Sequence, residues 1–221
     1  MSLNQTLADF QAKRALTMPP DKLKINVDQR RTLVETADRA GFVAAGGVLE
    51  PFEIEEVAGR RLSLDALIER GPAVLIFFRF AGCPACNIAL PYYNRHLAPE
   101  LARLGATLVA VSPQIPEKLA EIKQRHGLDF LVATDRDNAL GRRLGILYSF
   151  DEASRRSALE GGTPIGDVTG TGTWELPMPA AIVIDRSATV RFADVSPDWL
   201  VRTEPVDIIA AVREIARPAA A

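Results

Sequence analysis

From about residue 50 onward, uninterrupted apolar runs alternate with segments whose apolar residues recur at helical spacing. Apolar runs of about four to eight residues are typical of strands buried on both faces of a sheet. The three runs are AVLIFFRF, ATLVAVS and FLVATD, and the helical segments between and after them are PACNIALPYYNRHLA, IPEKLAEIKQRHG and NALGRRLG. Pro116 and Gly127 mark the two ends of the second helical segment. This order predicts a three-layer α/β domain with a central sheet.

The C-terminal part of the chain predicts a hairpin and a final helix. The stretches AAIVID and TVRFADV, separated by RSA, predict two antiparallel strands, and EPVDIIAAVREIAR predicts an amphipathic helix. Before the hairpin, residues 151–173 are rich in glycine. We expect them to form an irregular insertion or loop.

The first 48 residues differ from the rest because they are polar and lack strand-like runs. TLADFQAKRALT and VDQRRTLVETADRAG carry helical spacing, with breaks at TMPPDK and AAGGVLE. We therefore divide the chain into an N-terminal helical extension (1–48), an α/β domain (49–217) and a tail (218–221). Whether the extension mediates a homodimer stays open at this stage.

Composition and charge narrow the functional classes. The chain has 221 residues and a formal net charge of -2, so no positive field favours nucleic acid or an anionic membrane. The longest apolar run, 73–78, has the length of a strand and predicts no membrane span. The N-terminus MSLNQTLADF lacks the features of a secretory signal, so we expect a cytoplasmic protein. In a reducing cytosol a close cysteine pair is more often catalytic than part of a structural disulfide.

The stretch FFRFAGCPACNIALPYY holds both cysteines of the chain, Cys83 and Cys86. It lies where a predicted strand ends and a helix begins, and Pro84 is well tolerated in a first helical turn. A sulfur at a helix N-terminus faces free N–H groups and the positive end of the helix dipole, which favour the thiolate. In such motifs the thiol pKa falls from about 8.5 to about 3.5–7.5. Cys86, one turn deeper, can attack a mixed disulfide or a sulfenic acid on Cys83. We predict that Cys83 is the nucleophile and Cys86 the resolving thiol.

Two other interpretations of the cysteine pair have less support from the sequence. A structural zinc site needs about four ligands, whereas the only histidines, His96 and His126, stand alone. Two inert buried thiols are the other alternative. His126 precedes the glycine that ends a predicted helix, so we interpret it as a capping residue. We predict no metal.

Four stretches resemble the peroxiredoxin-like branch of the AhpC/TSA (alkyl hydroperoxide reductase/thiol-specific antioxidant) family. They are VLIFFRFAGCPACNIALPYY, GATLVAVSPQIPEK, TDRDNALGRRLGI and WELPMPAAIVIDRSATVRFADVSPDWLVRTEP, in family order and spacing. The resemblance covers roughly residues 50–217. It implies a thioredoxin-like fold, with a central mixed β-sheet flanked by helices, and a thiol peroxidase or related thiol oxidoreductase activity.

The resemblance assigns roles to two prolines. Pro91, eight residues after Cys83, matches the proline that kinks the active-site helix of thioredoxin-like proteins. Pro179 stands where those proteins carry a cis-proline that faces the dithiol. In that position the backbone of Met178 would be free to pair with an extended substrate.

The sequence departs from the usual peroxiredoxin motif, which places a proline and a Thr or Ser before the reactive cysteine and an arginine elsewhere. Ile76 and Phe80 occupy the first two positions, and Pro179 falls in the arginine's place. The usual groups that stabilise charge as the O–O bond breaks are therefore absent from their usual positions.

Three residues are candidates for substitute roles. Arg79, four residues before Cys83, could bring positive charge to the thiolate, although it could equally be a surface arginine. Glu175 could relay a proton to or from Cys86, or be an exposed loop carboxylate. Trp174 could cover the site or bind a partner, or belong to the core.

Two further residues, Arg202 and Glu204 in LVRTEP, match the family pattern, but the sequence assigns them no chemistry.

Three functions remain open from the sequence. In the first, a peroxiredoxin-like enzyme reduces a hydroperoxide, forms a Cys83–Cys86 disulfide and is reduced by a thioredoxin-like donor, with no other cofactor. In the second, a dithiol–disulfide oxidoreductase acts on protein or small-molecule disulfides. In the third, the protein is a non-enzymatic redox sensor or scaffold that switches a partner surface.

Overall fold

A computed structural model describes residues 1–216, so the predicted tail and the end of the predicted domain at 217 lie outside the described residues. The helices are α1 (Leu3–Thr17), α2 (Pro20–Thr36), α3 (Leu64–Ile68), α4 (Pro84–His96), α5 (Ala98–Arg103), α6 (Pro116–His126), α7 (Ala139–Arg143), α8 (Glu152–Glu160), α9 (Ile165–Thr169) and α10 (Pro205–Ala216). The strands are β1 (Glu53–Glu56), β2 (Arg61–Ser63), β3 (Ala73–Phe77), β4 (Thr107–Ser112), β5 (Leu131–Thr134), β6 (Leu147–Ser149), β7 (Glu175–Pro177), β8 (Ala180–Ile184) and β9 (Val190–Val195). Among the helices at residues 1–216, none combines the length and the apolar content needed to cross a membrane.

The central sheet has seven strands in the order β2-β1-β5-β4-β3-β8-β9. The three apolar runs form its parallel core, β3, β4 and β5. The predicted hairpin is confirmed, because β8 and β9 pair antiparallel, and β8 also pairs antiparallel with β3. The sequence pattern did not predict the β1–β2 hairpin at the other edge or the separate β6–β7 pair.

Side chains of β3 alternate between two cores, as the pleat of a strand requires. Val74 and Ile76 join the core formed with α1, α4, α6 and α10, whereas Leu75 and Phe77 join the core formed with α3 and α7. The sheet is therefore covered by helices on both faces, which explains why its central strands are continuous apolar runs. The predicted three-layer arrangement is confirmed.

The N-terminal extension packs into the first of these cores. The predicted helix break is confirmed, because α1 ends at Thr17 and α2 begins at Pro20. The carboxylate of Glu204 accepts hydrogen bonds from the backbone N–H groups of Leu3 and Asn4, at 3.1 and 2.8 Å, and so satisfies the free N-terminus of α1. Further along, the guanidinium of Arg30 in α2 donates two hydrogen bonds to Asp198.

The glycine-rich segment 151–173 is more regular than we predicted. It contains α8 and α9. The side chain of Asp151 accepts a hydrogen bond from the backbone N–H of Ser154 and caps α8, whose sequence EASRRSALE is rich in good helix formers. Gly161 and Gly170 follow the last residues of the two helices, whereas Gly166 lies within α9.

We expect the packing of α1 to contribute to the stability of the whole domain. Leu7 is 1% exposed in the core, whereas Leu16 on the same helix is 87% exposed. Leu7→Ala should lower the free energy of unfolding in urea by about 2–4 kcal/mol, because it leaves a cavity. Leu16→Ala, the matched control, should change it by less than about 0.5 kcal/mol. Similar values for the two variants would contradict the packing described here.

Candidate active site

Cys83 lies at the start of α4, immediately after the loop that follows β3. It occupies the N-cap position, with Pro84 as the first helical residue, as the sequence predicted. Its backbone N–H donates a hydrogen bond to the carbonyl of Phe80, and its carbonyl accepts one from the Asn87 side chain. The loop and the first turn of the helix therefore hold the sulfur at the helix N-terminus. Pro91 lies inside α4, where the resemblance placed it.

The two cysteines are reduced and fully buried, yet their acidities differ. A hydrogen bond from the Cys86 thiol lowers the pKa of Cys83 to about 5, and the charges of Arg79 and Arg202 add to the effect against the opposing influence of burial. Burial raises the pKa of Cys86, and the thiolate of Cys83 raises it further. Two neighbouring groups with divergent pKa values take different chemical roles. Here the stable form is a Cys83 thiolate beside a neutral Cys86 thiol.

One arginine lies against each sulfur. The Nη1 atom of Arg79 is 4.0 Å from the Cys83 Sγ. The Nη2 atom of Arg202 is 3.7 Å from the Cys86 Sγ, while its Nη1 donates to the carbonyls of Trp199 and Val201. The sequence suggested Arg79 but assigned no chemistry to Arg202. The only signal for Arg202 was its place in LVRTEP.

Arg79 is a buried cation enclosed by aromatic rings. Its guanidinium lies 4.5 Å from the centre of the Trp199 ring and within 5.9 Å of those of Tyr148 and Phe150. The residue is 6% exposed, and its Nε–H has no hydrogen-bond partner. The hydroxyl of Tyr148 also makes no hydrogen bond of normal geometry; burial raises its pKa to about 12, and the adjacent Arg79 guanidinium acts against this rise. Buried polar groups are normally paired with protein atoms or ordered water, so these two groups mark a place beside the reactive sulfur where a water molecule or a polar ligand can bind.

The N-terminal extension reaches the same cluster, which the sequence did not predict. The side chain of Gln29 in α2 accepts a hydrogen bond from the Trp199 indole and donates one to the Ser154 hydroxyl. The guanidinium of Arg14 in α1 lies 6.0 Å from the centre of the Trp199 ring. Burial lowers the pKa of Arg14, and the negative charge of Cys83 partly offsets this by raising it.

Glu175 and Trp174 agree with the second alternative given for each, a surface carboxylate and a ring packed on the core, rather than with a role at the dithiol. The carboxylate of Glu175 forms an ion pair with Arg142 at 2.6 Å, which lowers its pKa. The ring of Trp174 packs on Phe150 and faces Arg155. Glu175 therefore neutralises a surface arginine instead of facing Cys86, and Trp199 takes the place beside the site that we suggested for Trp174.

The Met178–Pro179 segment also differs from the expectation. No peptide bond among the described residues is cis, so the bond before Pro179 is trans. The backbone N–H of Met178 donates a 2.7 Å hydrogen bond to the carbonyl of Ile146. The segment follows β7, which pairs with β6. Because this pairing already uses the Met178 donor, it is not free for an extended substrate.

His126 is the last residue of α6 and is followed by Gly127 with a φ of 54°. Its Nε2 lies 2.7 Å from the Asn87 Oδ1, so it links α6 to the active-site helix as well as ending its own helix. Within residues 1–216, no three His, Cys, Asp or Glu side chains cluster closely enough to hold a metal ion.

A buried dithiol that opens a helix after a central parallel strand defines the thioredoxin-like thiol oxidoreductases. Residues 45–193 match the AhpC/TSA family. Because this match covers more than half of the chain, the protein belongs to the AhpC/TSA family and is a thiol-dependent oxidoreductase. No curated protein matches the chain.

Solved structures share the fold at low sequence identity. Peroxidoxin BcpB from Mycobacterium tuberculosis is 20% identical, with a TM-score of 0.61 over 78% of this chain and 98% of that chain. A cysteine-to-serine mutant of PrxQ from Xylella fastidiosa is 13% identical, with a TM-score of 0.62 over 79% and 98%. Reduced Prx3 from Vibrio vulnificus, in complex with hydrogen peroxide, is 19% identical, with a TM-score of 0.55 over 70% and 88%. These similarities confirm the thioredoxin-like fold.

Proposed function

We propose that this protein reduces hydroperoxides with Cys83 as the attacking thiol and Cys86 as the resolving thiol. The observation that carries the proposal is the divergence of the two pKa values, with Cys83 lowered to about 5 and Cys86 raised. A thiolate is the nucleophilic form of cysteine, and a neutral thiol beside it retains a proton for later use. Membership of the AhpC/TSA family supports the same class of reaction.

The reaction has three balanced steps. The Cys83 thiolate attacks the terminal oxygen of the hydroperoxide, an S–O bond forms as the O–O bond breaks, and the leaving alkoxide or hydroxide takes up a proton. The Cys86 sulfur then attacks the sulfenic acid and releases water, which leaves a Cys83–Cys86 disulfide. A thioredoxin-type dithiol protein reduces this disulfide by thiol exchange and becomes oxidised itself. No prosthetic group takes part.

The burial of the site favours a small oxidant. Both cysteines are 0% exposed, so a small oxidant can approach Cys83 more easily than a folded protein that carries a disulfide. By the same argument, the N-terminal turn of α4 has to move before a thioredoxin-type protein can reach the Cys83–Cys86 disulfide. The backbone N–H of Met178, which could have paired with an extended peptide substrate, is bonded to Ile146. Vibrio vulnificus Prx3, which has the same fold, holds hydrogen peroxide in its reduced form.

A dithiol–disulfide oxidoreductase is the second candidate function. It is favoured by one observation, that Phe80 and Pro179 occupy the positions where peroxiredoxins carry a hydroxyl residue and an arginine. If Arg79 and Arg202 do not replace those groups, the thiolate would react slowly with peroxides but could still exchange with disulfides.

Stopped-flow oxidation distinguishes the two functions. The fully reduced protein is mixed with hydrogen peroxide, tryptophan fluorescence is followed because Trp199 lies beside Arg79, and free thiols are counted in parallel. We expect both thiols to disappear much faster than an ordinary free thiolate reacts. Oxidation at the rate of a free thiolate, together with rapid oxidation by a protein disulfide, would refute the peroxidase and establish the second function.

A further inference from the structure

A pocket of about 310 Å³ opens between α2 of the N-terminal extension and α8. Lys22 and Thr163 are exposed at its rim, whereas Arg79 lies at its buried end. The volume is close to the lower limit for small-molecule sites, about 300 Å³. The pocket therefore connects the surface with the arginine that contacts Cys83.

The lining of the pocket carries positive charge both at its rim and at its buried end. Lys22 and Arg79 are its charged residues, and the lining within the described part of the chain includes no aspartate or glutamate. The other nine lining residues are uncharged, with Ser154, Ser157 and Asn26 among them. An anionic group on a ligand would meet attraction and no opposing carboxylate along this lining.

At the buried end of the pocket, the guanidinium of Arg79 contacts the Cys83 sulfur and keeps one N–H group without a hydrogen-bond partner. Its Nη1 is 4.0 Å from the Cys83 Sγ, and its Nε–H has no partner. A buried guanidinium binds oxygen anions strongly because its N–H groups are fixed in a plane. Arg79 can therefore hold an oxygen atom of a ligand close to the sulfur.

The wall formed by α2 lies outside the part of the chain that matches the family. The family match begins at residue 45, whereas Lys22, Ile25, Asn26 and Gln29 all lie before it. Gln29 fixes this wall through its hydrogen bonds to Ser154 and Trp199.

We propose that the pocket is the substrate entrance and that it selects short organic hydroperoxides carrying a carboxylate. The carboxylate pairs with Lys22 at the rim, and the hydroperoxide group lies against Arg79, whose Nη1 is 4.0 Å from the Cys83 Sγ. Cys83 itself does not line the pocket, so the final approach to the sulfur requires a movement of the Arg79 side chain. This inference rests on the proposed peroxidase function and specifies its substrate class. The chemistry at Cys83 is the same O–O cleavage described above, with an alcohol that carries the carboxylate as the product.

Matched substrates test the charge selection. The second-order rate constant for oxidation of the reduced protein is measured with 4-hydroperoxy-4-methylpentanoate, with its methyl ester and with hydrogen peroxide. We expect the acid to react faster than the ester, and Lys22→Gln to lower the acid-to-ester ratio about two- to fivefold, the effect of one exposed ion pair. The control is Lys13→Gln on α1, an exposed lysine outside the pocket, which should leave the ratio unchanged. An unchanged ratio in Lys22→Gln would overturn the carboxylate selection.

A steric variant tests the entrance independently of charge. Ala158 lines the pocket, so Ala158→Trp should slow both organic hydroperoxides relative to hydrogen peroxide. Equal slowing of all three substrates, or of none, would overturn the pocket as the entrance for organic substrates. The hydrogen peroxide rate of the unaltered protein separates the two proposals. If that rate equals the rate of a free thiolate, the peroxidase function itself fails, whereas a fast rate with unaffected ratios refutes only the substrate class.

Discussion

Cys83→Ser should abolish peroxide reduction, so that peroxide is consumed no faster than in buffer without the protein. The reaction depends on a thiolate, and serine at this position has neither the acidity nor the nucleophilicity of a thiol whose pKa is about 5. The measurement is peroxide consumption in the presence of a thioredoxin-type reductant, with circular dichroism to verify that the variant folds. Peroxide consumption by Cys83→Ser at a substantial fraction of the normal rate would contradict the assignment of the nucleophile.

Cys86→Ser is the matched control for this variant, since it makes the same replacement of sulfur by oxygen at a cysteine one helical turn away. It should still react once with peroxide, because Cys83 is intact, but it cannot form the internal disulfide. We expect turnover to stop and Cys83 to gain a second oxygen atom in excess peroxide, which mass spectrometry detects. Equal residual turnover in the two variants would show that the roles of the cysteines are not distinct.

Arg79→Met should lower the rate constant for peroxide by about 100-fold at pH 7, the usual effect of removing one charge-stabilising donor. The pKa of Cys83 should also rise from about 5, because a nearby positive charge is lost. Only the thiolate reacts, so the rate of alkylation by iodoacetamide rises as pH increases through this pKa. In the unaltered protein the rate should be half-maximal near pH 5, and in Arg79→Met at a higher pH.

Two further variants separate charge from geometry at this position. Arg79→Lys keeps the charge but not the planar set of donors, so it should restore much of the Cys83 pKa and little of the peroxide rate. Arg186→Met, at an exposed arginine, should change neither quantity. An unchanged peroxide rate in Arg79→Met would mean that Arg202 or the helix N-terminus alone stabilises the reaction.

The residues that act together at the dithiol come from distant parts of the chain. Arg202 and Cys86 are 116 positions apart, yet their side chains meet. The sequence pattern identified Arg79 because it stands four residues before Cys83, in the loop between β3 and α4. It could not identify Arg202 in the same way, because a buried arginine and a surface arginine look alike in a sequence when their neighbours are not known.

Some expectations failed because a local pattern does not report which backbone groups are already paired. Met178 was expected to offer its backbone to a substrate, but β7 pairs with β6 and the Met178 N–H bonds to Ile146. A role for Glu175 near Cys86 was one of two alternatives, and its ion pair with Arg142 supports the other, a surface carboxylate. In both cases the partner lies about thirty positions away in the chain, beyond the reach of any helical or strand period.

The sequence by itself determined the three-layer α/β fold, the three buried strands β3, β4 and β5 and the place of Cys83 at the start of α4. Each of these follows from short-range physics, in which buried strands need continuous apolar runs and a helix start accepts proline and stabilises a thiolate. Only the tertiary structure decided that Arg79 and Arg202 contact the two sulfurs, that Tyr148 and Trp199 surround Arg79, and that α2 forms one wall of a pocket leading to Arg79. These features depend on packing between distant segments. Burial lowers the local dielectric constant and so strengthens the electrostatic interactions of these charges and donors with the sulfur.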